Sequence, residues 1–138
     1  MCQTGAAVAE KDTEKVVKVL DMAAKTGNPV VTFYNSVGAK LEEGLAALSG
    51  SAAVAAAVAK VSGVVPQIAV VTGVCGAGSA LAAAAADVCI VSKEGELFLT
   101  APFTSAAAGD KLEGAGSAEF AAKAGVAAIV VDSAEEAA

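Results

Sequence analysis

The 138-residue sequence predicts an α/β fold with a largely parallel sheet, on three observations. Short runs rich in β-branched residues alternate with stretches of helical spacing. A strand, a glycine-containing loop and a helix occur in that order twice. The side chains are small, with 36 alanines and 14 glycines against five aromatics, and suit close helix-on-sheet packing. The length fits one domain, or one part of a larger one.

Taking the elements in order, Lys11 to Lys25 carries Val16, Val17, Leu20, Met22, Ala23 and Ala24 among charges, an amphipathic helix stopped by Gly27-Asn28-Pro29. Val30-Val31-Thr32-Phe33-Tyr34 is a buried strand that runs into the loop Asn35-Ser36-Val37-Gly38-Ala39-Lys40. Leu41 to Ser62 reads as one helix, or as two divided near Gly50-Ser51, with Glu42 and Glu43 as helix-start charges. Adjacent helical positions point about 100° apart, so these two carboxylates do not share a proton. Ile68 to Thr72 is a second buried strand, Gly73 to Gly78 a second glycine loop, and Ser79 to Ala86 an alanine helix. Strands follow at Asp87 to Ser92 and Glu96 to Thr100. A loop with a short helix reaches Gly109, a helix covers Ala118 to Ala124, and Ala127 to Val131 is the last strand. The acidic tail from Asp132 to Glu136 is expected to be solvated.

Composition excludes several chemistries. There is no His, and all nine basic residues are Lys, so Ser-His-Asp or Cys-His hydrolysis, His-ligated zinc and an arginine finger are absent from this chain. Cys2, Cys75 and Cys89 fit neither a C-x-x-C metal knuckle nor a disulfide framework, and no metal is expected. A net charge of −6 without a basic cluster speaks against nucleic acid. The uncharged stretch from Val61 to Ala86 is long enough to span a bilayer, but Pro66, Gln67, Thr72, Gly73, Gly76 and Gly78 interrupt it. A buried strand, a turn and a buried helix explain it better. Met1-Cys2-Gln3-Thr4 shows no secretory pattern, and a cytoplasmic chain is expected.

The two glycine loops are the candidate site. A loop that leaves a strand and opens a helix presents unpaired N–H groups, which hold an anion or a developing oxyanion. Val37-Gly38-Ala39-Lys40 and Cys75-Gly76-Ala77-Gly78-Ser79 both have this form, and together could grip two oxygens. The alternative is that their glycines serve only turns and packing. Nucleotide binding is discarded, because Gly76-Ala77-Gly78-Ser79-Ala80-Leu81 lacks the third glycine of a dinucleotide fingerprint and no G-K-[ST] occurs.

These segments carry a resemblance. Asn35-Ser36-Val37-Gly38-Ala39-Lys40-Leu41-Glu42-Glu43-Gly44 resembles the D-S-G-G-A-R-[IL]-Q-E-G loop of carboxyltransferase subunits of biotin-dependent carboxylases and decarboxylases. Pro66-Gln67-Ile68, Cys75-Gly76-Ala77-Gly78-Ser79-Ala80 and Asp87 resemble the family's P-[QR]-[IV]…C-A-G-G-A…D segment. Glu96 to Pro102 resembles its [FV]-[IV]-T-[GS]-P, and Gly116 to Glu136 its late G-x-A…V-x-x-[AD]-E-E-A stretch. The resemblance implies a crotonase-like (ClpP/crotonase) spiral of βαβ-type units. Residues 1–138 would be a single carboxyltransferase-like domain, N-terminally short and matching the later part of a family domain. Asn35, Val37, Lys40 and Ala77 depart from the motifs, standing for Asp, Gly, Arg and Gly. Ala tolerates positive φ poorly and Val still less, so strain is expected at Val37 and Ala77.

What the resemblance implies is carboxyl transfer between biotin, carried on a partner protein, and an acyl-CoA, or a keto acid in the related decarboxylases. Both a thioester enolate and a biotin enolate develop negative oxygen, which backbone amides stabilise without histidine. By this carry-over Gly38 and Ala39 supply amides at one site, and Ala77 and Gly78 at the other. Ser36 orients the first loop, Lys40 meets a carboxylate or phosphate, and Gly76 and Ser79 complete the substrate contacts. Cys75 is a small packed residue. Partners are an acyl-CoA, a biotin carrier protein and a second copy or complementary subunit. No membrane span is expected, which leaves a membrane-bound decarboxylase complex open. A hydratase or isomerase of the same fold and a non-catalytic assembly remnant are the alternatives.

Overall fold

The computed structural model describes residues 7–109 and 112–137, so Cys2 and the N-terminal Met1 to Thr4 lie outside the described residues. A two-residue strand β1 (Ala7–Val8), which no sequence signal marks, precedes helix α1 (Glu10–Thr26). As the stop signal requires, α1 ends on Gly27 at φ 74°, whose N–H closes on the Ala23 carbonyl at 2.8 Å. Strand β2 (Val30–Ser36) follows, then the short β3 (Gly38–Ala39), which pairs with β1 in parallel. After one 3₁₀ turn (Leu41–Glu43), helix α2 (Leu45–Val61) leads to the long strand β4 (Gln67–Gly76) and helix α3 (Gly78–Ala84). Strands β5 (Val88–Ser92) and β6 (Glu96–Phe98), helices α4 (Pro102–Ala107) and α5 (Ala118–Lys123), strand β7 (Ile129–Val131) and a last helical turn α6 (Ala134–Ala137) complete the order.

All ladder pairings are parallel. The main sheet runs β2-β4-β5-β7, and β6 pairs with the far end of β4. The branch arises inside β4. Tyr34 pairs with Val71 but Ser36 with Cys75, so β4 holds extra residues opposite Asn35. Such a bulge bends a strand. Ile68 to Val71 stay beside β5, whereas Val74 to Gly76 turn to β6.

Two expectations are corrected. Gly73 to Gly76 is strand rather than loop, because these glycines serve close approach. A Cβ on Gly73 would lie 2.5 Å from Asn35 Oδ1, and one on Gly76 would lie 2.9 Å from both the Val37 carbonyl and the Phe98 ring. The helical stretch after Lys40 breaks at Gly44 (φ 55°), not at Gly50-Ser51. Gly50 instead brings α2 against α1, where a Cβ would meet Thr13 Oγ1 at 2.4 Å. The acidic tail is solvated as expected, with Asp132, Glu135 and Glu136 exposed, and it folds as α6, where Ser133 Oγ accepts the Glu136 N–H and Ala137 is buried.

The core is built from the small residues that dominate the sequence. One cluster joins Leu20 and Ala23 of α1, Val58 and Val61 of α2, and Val30 of β2. The other joins Val71, Cys75, Cys89 and Val91 of β4 and β5 to Ala80 and Ala83 of α3 and Ala118 and Ala121 of α5. Glu42 and Glu43 lie in the first turn of the 3₁₀ segment, and Glu43 also reaches α1. Its Oε2 accepts the Glu10 N–H at 2.8 Å and so caps α1, where the helix dipole favours a negative charge. Gln67 and Asp87 of the quoted motif bind each other's segments at the N-terminal edge of the sheet, with Gln67 N–H to Asp87 Oδ2 at 2.8 Å and Asp87 N–H to the Gln67 carbonyl at 2.9 Å.

Candidate functional site

Strands β2 and β4 are parallel neighbours, so the segments that leave their C-terminal ends emerge side by side, where open α/β sheets bind ligands. The first turns through Val37 into β3, and the second turns through Ala77 into α3. They touch: a Cβ on Gly38, which sits at φ +115°, would lie 3.0 Å from Ala77 Cβ. The two loops border a single cavity of about 190 Å³, whose lining includes Ser36, Gly38, Ala39, Gly78 and Ser79.

Hydrogen bonds decide which amides face that cavity. The Gly38 N–H donates to Ser36 Oγ at 3.2 Å, a bond within the first loop that occupies the Gly38 donor. The Ala77 N–H donates to the Phe98 carbonyl at 3.0 Å. Both amides are thereby withdrawn from a ligand. Lys40 N–H bonds the Val8 carbonyl at 2.9 Å, and the alternation of a parallel ladder turns the Ala39 N–H to the opposite side. Gly78 opens α3, and the first intrahelical bond there is Leu81 N–H to the Ala77 carbonyl, so its own N–H has no helical partner. Ala39 and Gly78, one from each loop, remain as donors.

The other expected residues divide. Ser79 borders the cavity, whereas Gly76 is the buried last residue of β4 and supports the loop from beneath. Lys40 lies outside the lining and forms no ion pair among the described residues. Val37 is not at positive φ, so Val for Gly costs no backbone strain there; Ala77, at φ 53° and ψ −125°, is the one non-glycine residue of positive φ among the described residues. Sequence reasoning named Asn35 only as a departure within the first loop and missed Tyr34 of β2, Thr13 of α1 and Ser51 of α2 as lining residues of the cavity. Cys75 is fully buried and unpaired, and burial, with Cys89 adding to it, pushes its thiol up to about 12, which removes it as a nucleophile. Burial, then the neighbouring Cys75, likewise pushes the Tyr34 phenol up to about 12, so it stays neutral. A wider cavity of about 750 Å³ lies beyond β6, between Leu99, Phe103, Leu112 and Phe120, and contains none of the expected residues.

The profile of the carboxyl transferase domain matches residues 3–138. The chain belongs to that family. The methylmalonyl-CoA carboxyltransferase 12S subunit of Propionibacterium freudenreichii subsp. shermanii is 40% identical over 98 residues, which are 71% of this chain and 19% of that protein. The methylmalonyl-CoA decarboxylase subunit alpha of Propionigenium modestum is 38% identical over 100 residues, 72% of this chain and 19% of that one. The chain therefore spans about a fifth of the length of the curated relatives it matches. A crystal structure of transcarboxylase 12S with methylmalonyl-CoA and methylmalonic acid bound superposes with a TM-score of 0.89 at 33% identity, covering 95% of this chain and 26% of that one. The fold is the crotonase-like one expected, present as part of a domain. Among the described residues no helix is long and apolar enough to cross a membrane, and no cluster of His, Cys, Asp or Glu could hold a metal ion.

Proposed function

We propose that this chain forms the oxyanion-stabilising part of a biotin-dependent acyl-CoA carboxyltransferase. The observation that carries the reading is the pair of amides at Ala39 and Gly78, which border one cavity from two loops while their neighbours Gly38 and Ala77 are bonded elsewhere. A thioester carbonyl placed between them gains negative charge on oxygen as its α-carbon becomes nucleophilic. Donors already in position stabilise that charge without reorganising. Gly38, at the point of closest loop contact, keeps the cradle open to a flat group, and a backbone donor pair without a fixed charge suits a thioester or a ureido carbonyl. Biotin on a carrier protein would deliver the carboxyl group when bound. The second oxyanion site then comes from outside these residues, from a second copy or a complementary subunit.

The cavity lining also favours transfer over hydration or isomerisation. Among the described residues no charged residue borders it, and those reactions require a carboxylate beside the thioester. Lys40, next to Ala39 but outside the lining, would meet a carboxylate or phosphate of the substrate. A cytoplasmic setting goes with this reading.

The test is transfer of carboxyl label from methylmalonyl-CoA to free biotin by the natural assembly, with Gly78→Val as probe. A Cβ at Gly78 would stand 3.2 Å from Ser51 Cβ, so a branched side chain displaces the peptide that carries the donor. Loss of one such donor lowers kcat by about 10²–10³-fold. Full activity of Gly78→Val, with a native melting curve, would remove Gly78 from the site.

A further inference from the structure

Phe98, the last residue of β6, stands where three segments meet. Its carbonyl accepts the Ala77 N–H at 3.0 Å. Its ring lies against two glycines: a Cβ on Gly76 would be 2.9 Å from Phe98 Cε2, and one on Gly116 would be 3.5 Å from Cδ1. The Leu97 N–H bonds the Gly116 carbonyl at 2.8 Å, which holds β6 to the turn before α5. The ring is therefore wedged between the end of β4 and that turn.

Ala77 follows Gly76 directly, at φ 53° and ψ −125°. An L-residue keeps such a conformation only where its surroundings over-determine it. The Gly78 N–H belongs to the peptide between Ala77 and Gly78, so the ψ of Ala77 sets where that N–H points. Phe98 does not itself line the cavity.

We propose that Phe98 is a positioning residue for carboxyl transfer. Its carbonyl pins Ala77 and its ring blocks the space into which Gly76 and Ala77 would relax, and together they aim the Gly78 amide into the cavity. This rests on the reading of Ala39 and Gly78 as the oxyanion donors. Removing the ring frees the strained peptide to rotate, which weakens stabilisation of the developing charge and leaves ground-state binding nearly unchanged.

The experiment compares Phe98→Ala and Phe98→Leu in the natural assembly, with methylmalonyl-CoA as donor and free biotin as acceptor, alongside amide hydrogen exchange. For Phe98→Ala the expected result is a fall in kcat of about 10–100-fold, a partial loss of one donor, with KM for methylmalonyl-CoA changed less than about threefold. Phe98→Leu, which refills the space, recovers most of the rate. Exchange at the Ala77 amide speeds up by about tenfold or more in Phe98→Ala, while Val71 and Val91 stay protected. An unchanged kcat or an unchanged Ala77 exchange rate overturns the proposal. Where the wild-type assembly transfers nothing, the functional reading fails by itself, and Ala77 exchange alone decides the role of Phe98. If Phe98→Ala does not fold, Phe98→Val carries both readouts.

Discussion

At the scale of single residues, the two departures at the glycine loops have opposite meanings. Val37 occupies ordinary backbone, whereas Ala77 holds φ 53°, a conformation that costs an L-residue about 1–3 kcal/mol. Ala77→Gly relieves that strain and adds back about 0.4–1 kcal/mol of unfolded-state entropy. The expected outcome is a net gain of about 1 kcal/mol, seen as a midpoint higher by roughly 3 °C in thermal melts, with transfer preserved. Gly38→Ala runs the other way: φ is +115° and the new Cβ would come within 3.0 Å of Ala77 Cβ, so the melt should drop by more than Ala77→Gly raises it. A second residue-scale expectation concerns pH. The native Cys75 thiol is pushed up to about 12 from 9.0 and the Tyr34 phenol up to about 12 from 10.0, both chiefly by burial. Above about pH 9 the unfolded thiol releases a proton that the native one keeps. Stability is therefore full below that pH and falls as pH rises toward 12, by about 1.4 kcal/mol per unit from Cys75 alone. Urea midpoints measured from pH 8 to 11 should decline, and Cys75→Ala should flatten the slope. Ser36, Gly38, Ala39, Gly78 and Ser79, which border one cavity, were legible as neighbours because their motifs are contiguous. Which amides are spent internally was not, because the partners of Ala77 and Lys40, Phe98 and Val8, lie far away in the chain and are fixed by torsions no motif encodes.

At the scale of elements, the β-branched runs located β2, β5 and β7 within two residues but stopped four residues short of the end of β4, and β2, expected to be buried, alternates buried with exposed positions, Val31 and Phe33 among the latter. Glycine was the ambiguous letter. It marks a turn at Gly27, a helix start at Gly44, and a close approach at Gly50, Gly73 and Gly76, and the neighbours that distinguish these cases are distant in sequence. The contact of α1 with α2 shows the consequence. Gly50→Ala improves helix propensity by about 1 kcal/mol, yet its Cβ would overlap Thr13 Oγ1 at 2.4 Å. The overlap should win, with a net loss of about 1–3 kcal/mol in chemical denaturation. Adding Thr13→Ala should restore most of it, because the hydroxyl and methyl that collide are gone. Failure of the double variant to recover would place the cost in α2 itself. The same two helices are tied at their other ends by Lys60 and Asp21 at 3.0 Å, an exposed pair that adds little.

At the scale of the molecule, α/β class and parallel pairing followed from the alternation of strands and helices, while the branch of the sheet did not, because it depends on the bulge opposite Asn35. The same limit hid β1, whose two residues gain their ladder only from β3. Parallel pairing has a further consequence, for the order in which the chain can acquire structure. Among the described residues no strand meets its partner through a hairpin. Val30 waits for Gln67, Ile68 for Val88, and Ile90 for Ile129, so each ladder closes a long loop before it returns any free energy. Contacts of such separation slow folding. A chain emerging from the ribosome would hold α1 and β2 without a sheet until the whole of β4 had appeared, and during that interval Val31 and Phe33, exposed even in the finished fold, would be an apolar surface within reach of other nascent chains or a chaperone.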